Sequence, residues 1–378
     1  MRINKINSFL ICMGLIVIGP FTYECKKVSA ADGGTAGTQK AVFVHPGIIN
    51  TKESLDLIGS EVTRGDAGRT ASFQKVIDFT DQSTYPTSFP ETIVVGSNGA
   101  TSPSKSQIRK DAELVYAFAL RWAQTGNQEY ADKTIGILNG WSYNFKSYGL
   151  LNAATNKNQP ALEASWTTPG FVAAAEIIRY YKVNGKTAGW ADKDIQQFSA
   201  YLNNVKTNYI DQAPIYNNNW NASAGYAKMA IGVFLNDTGI YQTGVDDVKK
   251  YIPVIINPDG SIPEYCNRKD CVHFQYSLTA FAYSAAIAKI QGDNSIWLAD
   301  SNRIHAGYEF MRKAYDGNGG CNFCTISSPV FPGIEVAYNQ NKTENLAYLR
   351  ALNAPLSVPG DHTFIGFTTY THFNVSVF

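Results

Sequence analysis

The sequence predicts an all-α protein made of consecutive helical hairpins, either closed into a toroid or stacked as a solenoid. Three observations carry that prediction. From residue 108 onward, apolar residues recur at helical spacing over stretches of roughly 15 to 20 residues. Short polar or glycine-containing turns separate the stretches. Strand-like alternation of aromatic and β-branched residues is confined to the tail, 363–378. No exact repeat is visible, yet amphipathic helices of similar length can each bury one face on a neighbour, and closing the ring removes the exposed ends.

In chain order, Phe43-Val44-His45-Pro46-Gly47 opens the organised part as a turn in which His45 is expected to be structural. A helix follows near 51–64, and 80–106 is a region rich in Gly, Ser, Thr and Pro. The helix expected at 108–124 places Ala112, Val115, Ala119 and Trp122 on one face and stops at Thr125-Gly126-Asn127. Further helices are expected at 129–144, 161–183, 191–209, 220–235, 239–255, 274–290, 295–315 and 343–352. The tail is expected to be short and irregular or β.

The N-terminal 30 residues stand apart. A basic start at Arg2 and Lys5, an apolar run over 9–21, and Val28-Ser29-Ala30 as a small-residue cleavage site read as a secretory signal peptide. The run is short of the roughly 20 residues that span a bilayer, so no stable membrane span is expected in the mature chain. Cys25 raises a lipoprotein reading, against which Tyr23-Glu24 make a poor recognition box. The expected organisation is therefore a signal peptide, 1–30, and a single domain, 31–378, secreted or periplasmic after cleavage near Ala30. Export leaves Cys266, Cys271, Cys321 and Cys324, an even number that suggests disulfides. Local pairs, Cys266 with Cys271 and Cys321 with Cys324, are the simplest of three connectivities; zinc is the weaker alternative. Sequons begin at Asn221, Asn236, Asn341 and Asn374.

Composition bounds the partners. The 378 residues are 44% hydrophobic and 17% charged, with a net charge of +1. Losing four basic residues and one acidic residue with the leader brings this to −2, without the Lys/Arg excess that bulk nucleic-acid binding needs. Twenty-two Tyr, 20 Phe and 6 Trp suit either an aromatic core or flat walls for a hydroxyl-rich ligand.

Two polar clusters interrupt the helical pattern. Tyr216-Asn217-Asn218-Asn219-Trp220-Asn221 precedes an apolar helix; one Asn serves as its N-cap, which leaves the rest of the run unexplained. Pro258-Asp259-Gly260-Ser261-Ile262-Pro263-Glu264 is a turn, followed by Arg268, His273 and Tyr276, the last two sharing a helix face at i and i+3.

With these stand Arg109-Lys110-Asp111-Ala112, the segment Ala119-Leu120-Arg121-Trp122-Ala123-Gln124-Thr125-Gly126-Asn127, Tyr130-Ala131, Ile137-Leu138-Asn139-Gly140-Trp141, and Trp166 with Glu176. Taken in chain order and beginning with His45-Pro46-Gly47, over roughly 42–291, they resemble the alginate-lyase-type polysaccharide lyases. The resemblance implies an (α/α) toroid, closed or incomplete, and β-elimination on uronic-acid polymers, closest to lyases of β-1,4-linked mannuronan or glucuronan. It departs at one point: the family's Asn-Asn-His is Asn218-Asn219-Trp220 here, so the imidazole must come from elsewhere, with His273 the best candidate.

The chemistry explains the residue types. Elimination removes the C5 proton, α to a carboxylate, and expels the C4 oxygen. The carboxylate must first be neutralised, by the amides of Asn218 or Asn219 with Arg268 or a protonated His273. In β-linked mannuronate and glucuronate both groups leave from one face, so one Tyr serves as base and acid, and Tyr276 is the candidate. Its phenol, ordinarily near pKa 10, would ionise more readily beside a cation. Asn217, Trp220, Trp166 and Glu264 are expected substrate-binding residues. No metal motif is evident; no cofactor is expected, and the partner is an anionic polysaccharide bound by a monomer. Two competitors remain. A glycoside hydrolase would need two facing carboxylates, from Glu163, Glu176, Asp259 and Glu264, and a non-catalytic glycan-binding protein would not need Tyr276 and His273 to converge.

Overall fold

Short caps between long helices set the architecture. In the computed structural model, residues 43–268, 270–319, 321, 326, 328–355 and 363–375 are described, with Arg268 by its backbone only. All belong to one unit. The chain begins with α1 (Lys52–Thr63) and α2 (Ala67–Gln82), then a short strand β1 (Thr92–Val95). Next come α3 (Pro103–Thr125), α4 (Gln128–Asn144) and a second strand β2 (Ser147–Leu150). Helices α5 (Gln159–Tyr180), α6 (Asp192–Asn208), α7 (Asn219–Leu235) and α8 (Thr238–Ile255) follow. After α9 (Pro263–Arg268) come α10 (His273–Ile290), α11 (Ser295–Tyr315, interrupted at Ala299), α12 (Gly333–Gln340), α13 (Glu344–Ala351) and α14 (Thr368–Thr371).

The hairpins are built by cap chemistry. Gly126 ends α3 in the left-handed region and the Asn127 side chain caps α4, so the two helices reverse direction within two residues. Asn236 and Asp237 do the same between α7 and α8. These two helices approach so closely that a Cβ on Gly232 would lie 2.4 Å from the Tyr241 amide nitrogen.

Burial divides the helices into two layers. Helices α3, α5, α7, α10 and α12 pack successively on one another, and α5, α7 and α10 are buried almost all round, as expected of inner helices. Helices α4, α8, α11 and α13 pack outside them and bury mainly one face. This is the (α/α) toroid that the helical periodicity and the family resemblance pointed to. The strands β1 and β2 pair in parallel, with Ile93 opposite Tyr148; sequence alternation over four residues was too short to reveal them.

The tail explains its own misleading alternation. Among its described residues it contains one helical turn and no strand, because helices surround it and side chains satisfy its backbone. Tyr283 donates to the Ile365 carbonyl and Glu113 accepts from Gly366 N–H. On α2, the Arg69 guanidinium donates to the carbonyls of Thr369, Tyr370 and Phe373 and pairs with Glu61, tying the last turn to the first hairpin.

Fully buried beside that turn, His372 has its pKa pushed down to about 3, by burial first and then by the Arg69 charge. The unfolded chain takes up this proton near pH 6.5 and the folded chain resists it. Folding stability is therefore expected to fall below pH 6.5 and to keep falling toward pH 3, by about 1.4 kcal/mol per pH unit from this group. Urea midpoints for wild type and His372→Gln at pH 7 and pH 5 test this: the variant should show the shallower loss.

The cysteines depart from both expected local pairs, Cys266 with Cys271 and Cys321 with Cys324. The bridge is Cys266–Cys321, not a local Cys266–Cys271 pair, and Cys271 is itself disulfide-bonded. The return of the chain after α11 brings Cys321 to α9, a proximity invisible in spacing. Closing a loop across 55 residues stabilises by roughly 4 kcal/mol in the chain-entropy view. It also commits these thiols away from zinc. Cys324, His362 and the expected signal peptide lie outside the described residues. No described helix is long and apolar enough to cross a membrane.

Candidate active site

The inner helices α3, α5, α7 and α10 bring their ends, together with loop 96–101, to a cleft of about 430 Å³. Its walls include Lys105 and Arg109 from α3, Trp166 from α5, Trp220 from α7, and His273 with Tyr276 from α10. Of the residues singled out in the sequence, Tyr276, His273, Trp166 and Trp220 thus share one cavity.

Tyr276 is the hub of an aromatic cage. Its ring lies 5.1 Å from Trp166, 5.0 Å from His273 in a stacked arrangement, 4.9 Å from Phe331 and 5.6 Å from Phe364. The residue is only 5% exposed, so it is held by packing while its edge reaches the cleft wall. Trp166 is locked in turn by a hydrogen bond from Nε1 to Ser223 Oγ.

His273 begins α10 and its side chain is 45% exposed. Nδ1 lies 2.6 Å from Asp270 Oδ2, and the backbone N–H groups of Val272 and His273 donate to Asp270 Oδ1. Burial alone would raise the Asp270 carboxyl, but the hydrogen bonds from His273 bring it down to about 2.

The Asn run separates into roles. Asn217 is exposed and left-handed, and its N–H donates to Asn221 Oδ1. Asn218 is the N-cap of α7, accepting from Trp220 N–H. Asn219 turns inward: Nδ2 donates to Glu264 Oε1 at 2.9 Å, joining α7 to α9, and its Oδ1 is buried without a hydrogen-bond partner among the described residues. Trp220, rather than these amides, lines the cleft, with Tyr216 packed edge-on at 5.0 Å. The Arg268 side chain lies outside the described residues.

Three residues gained no role from the sequence. Arg109 makes a two-pronged ion pair with Glu163, which is fully buried, and its guanidinium sits 5.1 Å from the Trp166 ring. Lys105, one turn earlier on the same face, donates to the carbonyls of Gly96 and Ala100 and pins the cleft loop. Their i, i+4 spacing was available as a signal. Asp270, three residues before His273 at a helix start, was readable as a cap.

The carboxylates a hydrolase would draw on are committed elsewhere. Glu163 is held by Arg109, Glu176 by His45 Nδ1 at 2.8 Å, Asp259 by its own turn through Ser261, and Glu264 by Asn219. His45, stacked on Tyr180 and bonded to Asn236, is structural as expected.

The sequence profile of the alginate lyase family matches residues 66–320. Among solved structures, alginate lyase A1-III from Sphingomonas species A1 is similar, with a TM-score of 0.68 at 15% identity, covering 89% of this chain and 99% of that one. An alginate lyase from Bacteroides ovatus gives 0.62 at 13% identity, covering 82% and 96%. A variant of alginate lyase A1-III complexed with tetrasaccharide gives 0.65 at 13% identity, covering 86% and 96%. At such identities the likeness is one of fold. No curated protein sequence matches the chain.

Proposed function

The chain belongs to the alginate lyase family and is a polysaccharide lyase; from that premise we propose that it cleaves β-1,4-linked polymannuronate or glucuronan by β-elimination, after export. The observation that carries this reading is the convergence of Tyr276, His273 and Trp166 on a cleft that also holds Lys105 and Arg109. An anionic sugar chain needs local positive charge and flat apolar faces, and both are present although the protein as a whole is near neutral.

Tyr276 takes the C5 proton as phenolate and returns a proton to the C4 oxygen, both on one face of the ring. His273, with Arg268 from the end of α9, neutralises the uronate carboxylate so that charge can develop on it as C5 is deprotonated. Asn219 supports this set from behind through Glu264, and Asn218 holds the start of α7. Trp166 and Trp220 offer faces to the sugar rings, with Asn217 at the exposed turn leading into α7. The bound tetrasaccharide of the A1-III variant supports a substrate that is a uronate chain rather than a single sugar.

Polymannuronate, polyguluronate, glucuronan and hyaluronan should be offered separately while following the ultraviolet absorbance of 4,5-unsaturated uronate ends. Absorbance should rise with polymannuronate or glucuronan. New reducing ends without absorbance would mean hydrolysis and overturn the reading.

A further inference from the structure

We propose that Asp270 is the positioning residue for His273, fixing the imidazole so that Nε2 is the nitrogen offered to the cleft. The inference rests on the lyase reading above and adds to it a residue that carries no role there.

The geometry is that of an oriented pair. One Asp270 oxygen faces His273 Nδ1 at 2.6 Å, while the other accepts the first N–H groups of α10, at 3.1 Å from Val272 and 2.9 Å from His273. Val272, at the N-cap position, makes no side-chain cap, so Asp270 supplies it from two residues upstream and is itself held by the helix end. An ionised carboxylate is acceptor-only, which places the proton of a neutral imidazole on Nδ1. The carboxyl, at about 2, is ionised at any working pH.

Fixing this ring also fixes its stacked neighbour, Tyr276. Lys105 and Arg109 face the same cleft from α3. When the sugar's carboxylate enters, the imidazole lies between two carboxylates. That arrangement favours the imidazolium, its second proton coming from solvent, with Nδ1–H donating to Asp270 and Nε2–H to the substrate.

Asp270→Asn is the informative variant. Asn still caps a helix, so unfolding temperature should change little. The anion is lost and the amide can donate to Nδ1, inverting the tautomer. The kcat/KM should fall about 10- to 150-fold, the worth of one hydrogen bond to a charged group. Added to His273→Ala, the substitution should cause no further loss, because it acts through the imidazole. Nitrogen-15 NMR of histidine-labelled protein, with His273 assigned from its variant, should show Nδ1 protonated in wild type and Nε2 in Asp270→Asn. Activity of Asp270→Asn within twofold of wild type would overturn the proposal. So would an undiminished loss in the His273→Ala background, or a wild-type imidazole protonated on Nε2 with Nδ1 bare. If wild type forms no unsaturated uronate on any polymer, the lyase reading fails instead, and the NMR result still decides the role of Asp270.

Discussion

Tyr276→Phe is expected to lower turnover by about 10³- to 10⁴-fold while leaving the fold and oligosaccharide binding nearly intact. The substitution removes one oxygen from a ring whose position is set by Trp166, His273, Phe331 and Phe364, and all four contacts survive it. Without the phenol no group on that ring can accept the C5 proton or return one to the C4 oxygen, and a loss confined to kcat is the signature of a group that acts only in the transition state. Steady-state kinetics on the preferred polymer, calorimetric titration with a short oligosaccharide and thermal unfolding separate these effects. A fall in kcat below tenfold would remove Tyr276 from the proton-transfer steps.

Arg109→Met should cost about 3 to 5 kcal/mol of stability, because it strands the carboxylate of Glu163 in a fully buried position. The same change withdraws the guanidinium from the Trp166 ring and removes positive charge from the cleft, so kcat/KM should fall as well. Pairing it with Glu163→Leu distinguishes the two consequences. The double variant loses both charges together and should recover most of the stability while activity stays low. Urea unfolding and initial rates on the three proteins test this. Recovery of activity along with stability would assign Arg109 to the scaffold alone.

The two variants probe different kinds of legibility. The proximity of Tyr276 and His273 was readable because an i, i+3 pair on a helix face survives folding as a neighbourhood. Trp166 and Trp220 could be named as sugar-stacking aromatics, but nothing in their local sequence separates them from the many aromatics that fill the core. The Asn run was read as one cluster, yet the backbone turn splits it: Asn217 faces outward, Asn218 caps α7, and Asn219 reaches Glu264. Arg109 was visible within a familiar stretch but had no role until its partner, 54 residues away, was known.

The long helices from α3 to α11 and their hairpin order were determined by the sequence alone, since apolar spacing, Gly126 and the Asn and Asp caps act within a few residues, whereas α2 (Ala67–Gln82) and α12 (Gly333–Gln340) had no expected counterpart. The docking of the tail was decided only in three dimensions. It depends on Arg69 in α2 gripping the backbone of the last turn and on Tyr283 and Glu113 holding the tail among the inner helices, and the Cys266–Cys321 bridge likewise joins segments that local sequence does not pair. Short-range periodicity reports which face of a helix is buried. The groups that end up facing one another across the cleft are chosen by the packing of helices far apart in the chain, and local sequence carries no record of that choice.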